Sequence, residues 1–335
     1  MYSSLKAIFP LGARLFSSLK AQVPPELTSG LEQKFKGLEF KDVKADYETG
    51  KIAKGAKEMV EWLGDKAKSG DADAANFLKS ITEFKQPEVT GLILQGISKN
   101  AVVMRYFSDL VAAAIDSGFT ERVSDVVFGR DRNDIDAHSD GSHLRQDQPR
   151  VVLSTLIGAK SNGKIRTYTM DINEISQELN PKTREILNCP VFGYINDGDP
   201  RGERLQLESK ILGKNKDGVL HVRYAYGLRH KLRFDAEKTN FSATEIKKAL
   251  EEMDDTVEKF HQEGRVESFY IKEDMMFTFK NLERLHGRDK SSLDYERMVL
   301  FCGYMKPSRE IEGGATGLKL QDSNSKAQEK LTINI

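Results

Sequence analysis

Ala137-His138-Ser139-Asp140-Gly141-Ser142 and, far downstream, Leu285-His286-Gly287-Arg288 are the two stretches from which the rest of the chain is read. In an extended segment the side chains at i and i+2 share a face, so His138 and Asp140 are expected to point together while Ser139 points away. Two imidazoles and one carboxylate form a facial set that fills three positions around a divalent metal and leaves the others open for reactants. An isolated H-x-D pair arises often by chance, and a solvated turn explains it equally well. The pair gains weight from its surroundings.

Outward from this pair the pattern is that of short strands. Apolar or alternating runs predict strands over 89–97, 126–128, 151–157, 165–169, 205–212, 219–226, 266–271, 275–279 and 298–304. Asn162-Gly163 is a two-residue hairpin turn between the third and fourth of these, and Lys216-Asp217-Gly218 marks a second hairpin. An acidic and basic loop over 131–136 delivers His138, and another loop covers 196–200. Helices are predicted over 104–115, 172–179 and 181–187, and over 242–263, where Ser242 and Glu245 form a capping box and Ile246, Leu250, Met253, Val257 and Phe260 share one face. Many short strands that close on themselves suggest a double-stranded β-helix, or jelly roll.

The beginning of the chain reads differently. Residues 1–25 hold Lys6, Arg14 and Lys20 without any acid, and their apolar residues fall at helical spacing, as in a docked amphipathic helix or a targeting segment. Further helices are predicted over 52–63 and 71–81. The expected organisation is a helical N-terminal extension over 1–87, a jelly-roll domain over 88–309 and a polar tail over 310–335. The fold class is therefore α+β, with helices flanking the jelly roll.

At 335 residues and 39% hydrophobic content the chain can bury a large core. Its 51 basic and 51 acidic residues cancel, which argues against a generally basic nucleic-acid binder. Cys189 and Cys302 stand far apart without metal spacing, as in a reduced, cytoplasmic protein. No apolar run approaches the roughly 20 residues of a membrane-spanning helix. Nothing in the sequence sets the oligomeric state.

Taken in order, several motifs between about residues 91 and 307 resemble the clavaminate synthase/TauD-like group of Fe(II)- and 2-oxoglutarate-dependent oxygenases. Gly91-Leu92-Ile93-Leu94-Gln95-Gly96 resembles the group's opening strand, and Ala137 to Ser142 its first iron motif. Thr167 resembles the co-substrate threonine. The run from Lys272 through Asn281 to Leu285-His286-Gly287-Arg288, with Arg297 eleven residues past His286, resembles the closing signature. The resemblance implies that His138, Asp140 and His286 hold Fe(II), and that 2-oxoglutarate chelates it through its 1-carboxylate and 2-oxo group and leaves a position for O2. It further implies that Arg297, with Thr167 as second donor, holds the far carboxylate, and that Arg288 is the next choice for a carboxylate contact. The expected activity is that of a dioxygenase, hydroxylating or desaturating a small amino-acid-like or otherwise carboxylated substrate with release of succinate and CO2. A carboxylate at position 140 favours oxygen transfer over halogenation.

The chain departs from the group in two places. Lys164-Ile165-Arg166 stands where a Gly-rich turn is usual before the threonine, and a plain β-former serves equally at Thr167. Val222-Arg223-Tyr224-Ala225-Tyr226 resembles a segment that carries acids in enzymes acting on basic amino acids, and no acid stands there. His143 lies near the motif as a candidate substrate contact or an exposed loop residue, whereas His221, His230 and His261 read as structural or solvated. Asn281 and Asp274 read as groups shaping the approach to His286. Two other readings remain open: a His-Asp-His metal hydrolase that activates water, and a jelly-roll binding module without catalysis.

Overall fold

In the computed structural model the described residues are 18–34, 36, 48–52, 55–119, 121–128, 135–142, 150–160, 162–195, 207–289, 298–307 and 333–334. The first element is strand β1 (Ser18–Gln22), in which Leu19 and Ala21 pack on the core while their neighbours are polar. This corrects the helix expected through residue 25: a period of two over five residues suits a strand. The part of that stretch before residue 18 lies outside the described residues. Helix α1 (Pro25–Lys34), strand β2 (Glu48–Lys51) and helices α2 (Ala56–Lys68) and α3 (Ala72–Phe84) follow. Next come β3 (Gly91–Gln95) and α4 (Ala101–Ile115). The starts of α3 and α4 are fixed by side-chain caps, Asp71 on the Ala74 amide and Asn100 on those of Val102 and Val103.

The central part of the chain supplies β4 (Glu121–Phe128), β5 (Ile135–His138), β6 (Arg150–Lys160) and β7 (Asn162–Asp171), then α5 (Ile172–Glu178) and α6 (Pro181–Leu187). Short strands β8 (Phe192–Tyr194), β9 (Leu212–Lys214), β10 (Leu220–Val222) and β11 (Leu232–Phe234) lead to α7 (Ala243–Gln262), which begins at the expected capping box. The chain continues through β12 (Glu267–Lys272), β13 (Met275–Lys280), β14 (Arg284–Arg288), β15 (Met298–Lys306) and β16 (Ile333–Asn334).

Two sheets face each other. The larger has the order β1-β3-β13-β6-β15-β4-β2 and the smaller β12-β7-β14-β5. Both are antiparallel apart from the β1–β3 pair, which runs parallel. The Asn162-Gly163 turn, read above as closing a hairpin, instead carries the chain from the larger sheet to the smaller. Gly163 takes φ +70°, and a β-carbon there would press on the Lys272 side chain. The second hairpin forms as β9 and β10, but its strands are shorter than the expected runs.

Alternation along the strands sorts the core into layers. Leu92, Leu94, Leu153, Ile157, Met276 and Leu300 face the helices α1–α4. Their neighbours Ile93, Leu156, Phe277 and Phe279 face the smaller sheet and meet Phe269 and Ile271 of β12. The far side of the smaller sheet, with Ala137, Tyr168, Met170 and Leu285, packs under Met253, Val257 and Phe260 of α7. The fold is a double-stranded β-helix flanked by helices, of α+β class. On the helical side a buried network ties α4 to the larger sheet. There Arg122 Nη1 donates to Asp109 Oδ2 at 2.6 Å, the Tyr304 hydroxyl donates to Asp109 Oδ1 at 3.0 Å, and Ser108 and Tyr304 hydroxyls are 2.6 Å apart.

Candidate metal centre

His138 closes β5 and pairs across the antiparallel register with His286 of β14, so the two imidazoles stand side by side with ring centroids 4.2 Å apart. Asp140 follows in a turn, not on the strand. Ser139 still points away: its amide donates to the Tyr224 carbonyl at 2.9 Å and its hydroxyl lies 3.3 Å from the Val222 carbonyl. The turn brings Asp140 Oδ1 to 3.5 Å from the Nε2 atoms of both histidines. Among the described residues, His138, Asp140 and His286 are the group whose candidate ligand atoms gather, all within 4.8 Å of one another.

The larger sheet fixes this turn in place. Asn281, fully buried just after β13, accepts the Asp140 amide at 2.8 Å and donates to the Asp140 carbonyl at 3.0 Å and the Val151 carbonyl at 2.8 Å. Ser154 of β6 donates to Asp140 Oδ2 at 2.5 Å. Asn281 therefore acts on the Asp140 backbone, whereas the sequence had pointed it at His286. Asp274 shapes the β12–β13 turn, where it takes φ 62°.

The two imidazoles sit in different surroundings. His138 Nδ1 lies 2.8 Å from the Asp136 carbonyl, which can only accept, so Nδ1 carries a proton and Nε2 is the nitrogen turned toward Asp140. The His286 ring packs on Phe279 at 4.7 Å, and its Nδ1 is buried without a hydrogen-bond partner among the described residues. Burial holds the His286 pKa below the ordinary value, with Asp140 opposing and His138 adding to the shift. Burial also acts against charge on His138 and Asp140. The pull of Asp140 outweighs it and raises His138, while the facing imidazoles outweigh it at Asp140 and keep that carboxylate ionised. A carboxylate beside two imidazole nitrogens is the N/O donor set that Fe(II) and similar divalent ions take, and the residues fit such an ion.

Known proteins bear on this geometry at two levels. No known family profile matches the chain. The type VII secretion system protein EssD of Staphylococcus aureus (strain USA300) is 27% identical over 184 residues, covering 52% of this chain. The chain spans 28% of the length of EssD. Among solved structures, an asparagine oxygenase in complex with Fe(II), 2S,3S-3-hydroxyasparagine and succinate superposes with a TM-score of 0.58 at 12% identity, over 86% of this chain and 94% of that one. The non-heme iron oxygenase OrfP with Fe and alpha-ketoglutaric acid gives 0.56 at 11% identity, over 86% and 94%. The fold is that of the non-heme iron oxygenases.

Within this oxygenase fold the remaining candidates fall on several surfaces. Thr167 of β7 and Arg288 of β14 are directly opposite in the antiparallel register, and both are buried. Arg288 lies two residues from His286 and so shares its face of the sheet. Gly287, between them, faces the other way, where a β-carbon would collide with the Tyr168 hydroxyl and the Ile135 carbonyl. Arg297 and His143 lie outside the described residues. Arg223 is buried and donates from Nε to the Ser142 carbonyl at 2.7 Å, so the segment expected to lack acids carries a buried cation beside the Asp140 turn. His221 is half-buried, and burial, with Arg150 adding, lowers its pKa to about 4. His261 sits on the outer side of the small sheet, against the Tyr168 ring and 3.5 Å from Asp289 Oδ1. Sequence reasoning missed Ser154. Its one signal is a serine inside the apolar run of β6, at a position alternating onto the inner face.

Proposed function

We propose that the chain is an Fe(II)- and 2-oxoglutarate-dependent dioxygenase that hydroxylates or desaturates a C–H bond of a small amino-acid-like or carboxylated substrate, releasing succinate and CO2. The observation that carries this reading is the convergence of His138 Nε2, His286 Nε2 and Asp140 Oδ1 in the space between the two sheets of an oxygenase fold. Bound there, Fe(II) with 2-oxoglutarate supplies the oxidising chemistry, and the protein supplies position and shielding from water. His138, His286 and Asp140 are the proposed ligands. Along β14, two residues span about 7 Å, a distance suited to a co-substrate chelated at one end and anchored at the other. Arg288, with the Thr167 hydroxyl opposite, is in register to take the far carboxylate through paired charge-assisted bonds, and Arg297 is the alternative anchor. Phe269, Phe277 and Phe279 line the same interior and keep it apolar.

Among the described residues no helix is long and apolar enough to cross a membrane, and two free thiols, Cys189 and Cys302, fit a cytoplasmic setting. The likeness to EssD covers too little of that protein to lend the chain an activity. The test is succinate formation from 2-oxoglutarate by the purified chain with Fe(II), screened over free amino acids and related acids, with His286→Ala as control. Turnover in the parent that disappears in the variant is the expected result. A parent that neither takes up Fe(II) nor decarboxylates 2-oxoglutarate with any of these acids ends the reading.

A further inference from the structure

We propose that Ser154 keeps Asp140 a one-oxygen ligand and thereby preserves the coordination position that O2 needs. This rests on the oxygenase reading above but concerns a residue that reading does not use. The two carboxylate oxygens of Asp140 have different surroundings. Oδ1 faces the Nε2 atoms of His138 and His286, each at 3.5 Å, whereas Oδ2 accepts the Ser154 hydroxyl at 2.5 Å. Ser154 is fully buried on β6, in the opposite sheet from β5 and β14. Asn281 holds the Asp140 backbone from both its amide and its carbonyl, so what remains free at Asp140 is rotation of the carboxylate. The Ser154 hydroxyl restrains that rotation.

Counting positions shows why this matters. A carboxylate can bind a cation through one oxygen or both. Two imidazole nitrogens and two oxygens would fill four of six positions, and a chelating 2-oxoglutarate would fill the last two. With Oδ2 withheld, the protein would offer three ligand atoms and a chelating co-substrate two, which would leave one of six positions. Ser154 is thus a positioning residue that acts through Asp140, and removing its hydroxyl would let Oδ2 turn toward a bound ion without removing any protein ligand.

The experiment uses nitric oxide as a stand-in for O2, added anaerobically to the full chain loaded with Fe(II) and 2-oxoglutarate and followed by the electron paramagnetic resonance signal of the iron–nitrosyl. Fe(II) uptake and the charge-transfer absorption of the 2-oxoglutarate complex are measured in parallel. Ser154→Ala is expected to bind Fe(II) and 2-oxoglutarate like the parent but to need at least about tenfold more nitric oxide for the same signal. Ser154→Thr, which keeps the hydroxyl, is expected to restore the parent behaviour. The proposal is overturned if Ser154→Ala binds nitric oxide like the parent, if it loses Fe(II) or fails to fold, or if Ser154→Thr behaves like Ser154→Ala. Failure of the parent itself to take up Fe(II) and 2-oxoglutarate would be a failure of the oxygenase reading instead.

Discussion

Asp109 and Asp140 are carboxylates on opposite sides of the larger sheet, and they are treated in opposite ways. Asp109 is wholly enclosed on the helical side, where Arg122 and the Tyr304 hydroxyl take both its oxygens. Its charge is balanced within the protein. Asp140 lies between the sheets with its side chain 15% exposed, and its partners are one serine hydroxyl and two imidazoles at 3.5 Å. Within the protein its charge is answered only by these neutral or weakly basic neighbours, which is why we propose it as a metal ligand. A buried charge is tolerated only when paired, so the source of the pairing separates the structural Asp109 from the proposed ligand Asp140 better than burial does.

Substitution at the two positions should therefore give crossed effects. Asp109→Ala strands the Arg122 guanidinium and is expected to cost about 3–5 kcal/mol of stability, read by denaturant unfolding, while Fe(II) affinity in the folded fraction stays unchanged. Asp140→Ala is expected to lower Fe(II) affinity on the order of 100-fold or more, beyond what loss of a supporting contact costs, and to leave the metal-free chain no less stable. Calorimetric titration and unfolding of both variants break the comparison if the effects fail to cross.

A smaller effect is expected one step along β14. Arg288→Lys retains charge but loses the planar fork. It should raise the KM for 2-oxoglutarate about tenfold, roughly one charge-assisted hydrogen bond, with Fe(II) affinity unaltered. An unchanged KM moves the anchoring role to Arg297.

The smallest effect comes from a third carboxylate, the half-buried Glu283. Burial, aided by Asp171 and only partly offset by Lys280 and Arg284, raises the Glu283 pKa to about 7. The native state therefore holds this proton more tightly than the unfolded chain does. The contribution to stability is full below about pH 4.5 and is lost as pH rises through about 7, with a slope no steeper than about 1.4 kcal/mol per pH unit. Glu283→Gln should flatten stability across that window, and unchanged curvature in the pH series would show that Glu283 finds a cation after all.

Much of this architecture is legible in local pattern. The helix of α4, the capping box and apolar stripe of α7 and the runs that become β3, β6, β13 and β15 depend on neighbours in sequence, and these elements appear where the pattern puts them. Strands β5 and β14 are short and carry polar side chains, so no run announces them, although the motif within them does. The β1 segment misleads because its apolar residues continue a helical spacing from further upstream. The Asn162-Gly163 turn has the right local chemistry, but whether it joins two strands of one sheet or two sheets depends on what packs beyond it. The Arg122–Asp109 pair and the grips of Asn281 and Ser154 on Asp140 are long-range contacts without local periodicity, and these decide which carboxylate is structural and which is available.

Strand β14 lies between β7 and β5, although it follows them by more than a hundred residues of chain. During synthesis at about 5–20 residues per second, β5 and β7 therefore wait on the order of 5–25 s with their facing edges unpaired, in the state most open to mispairing with other chains. Insertion of β14 ends that exposure, and the same strand delivers His286. Closing the sheet and completing the proposed ligand set are one event, so a ribosome-bound fragment that stops short of β14 has neither the closed sheet nor His286.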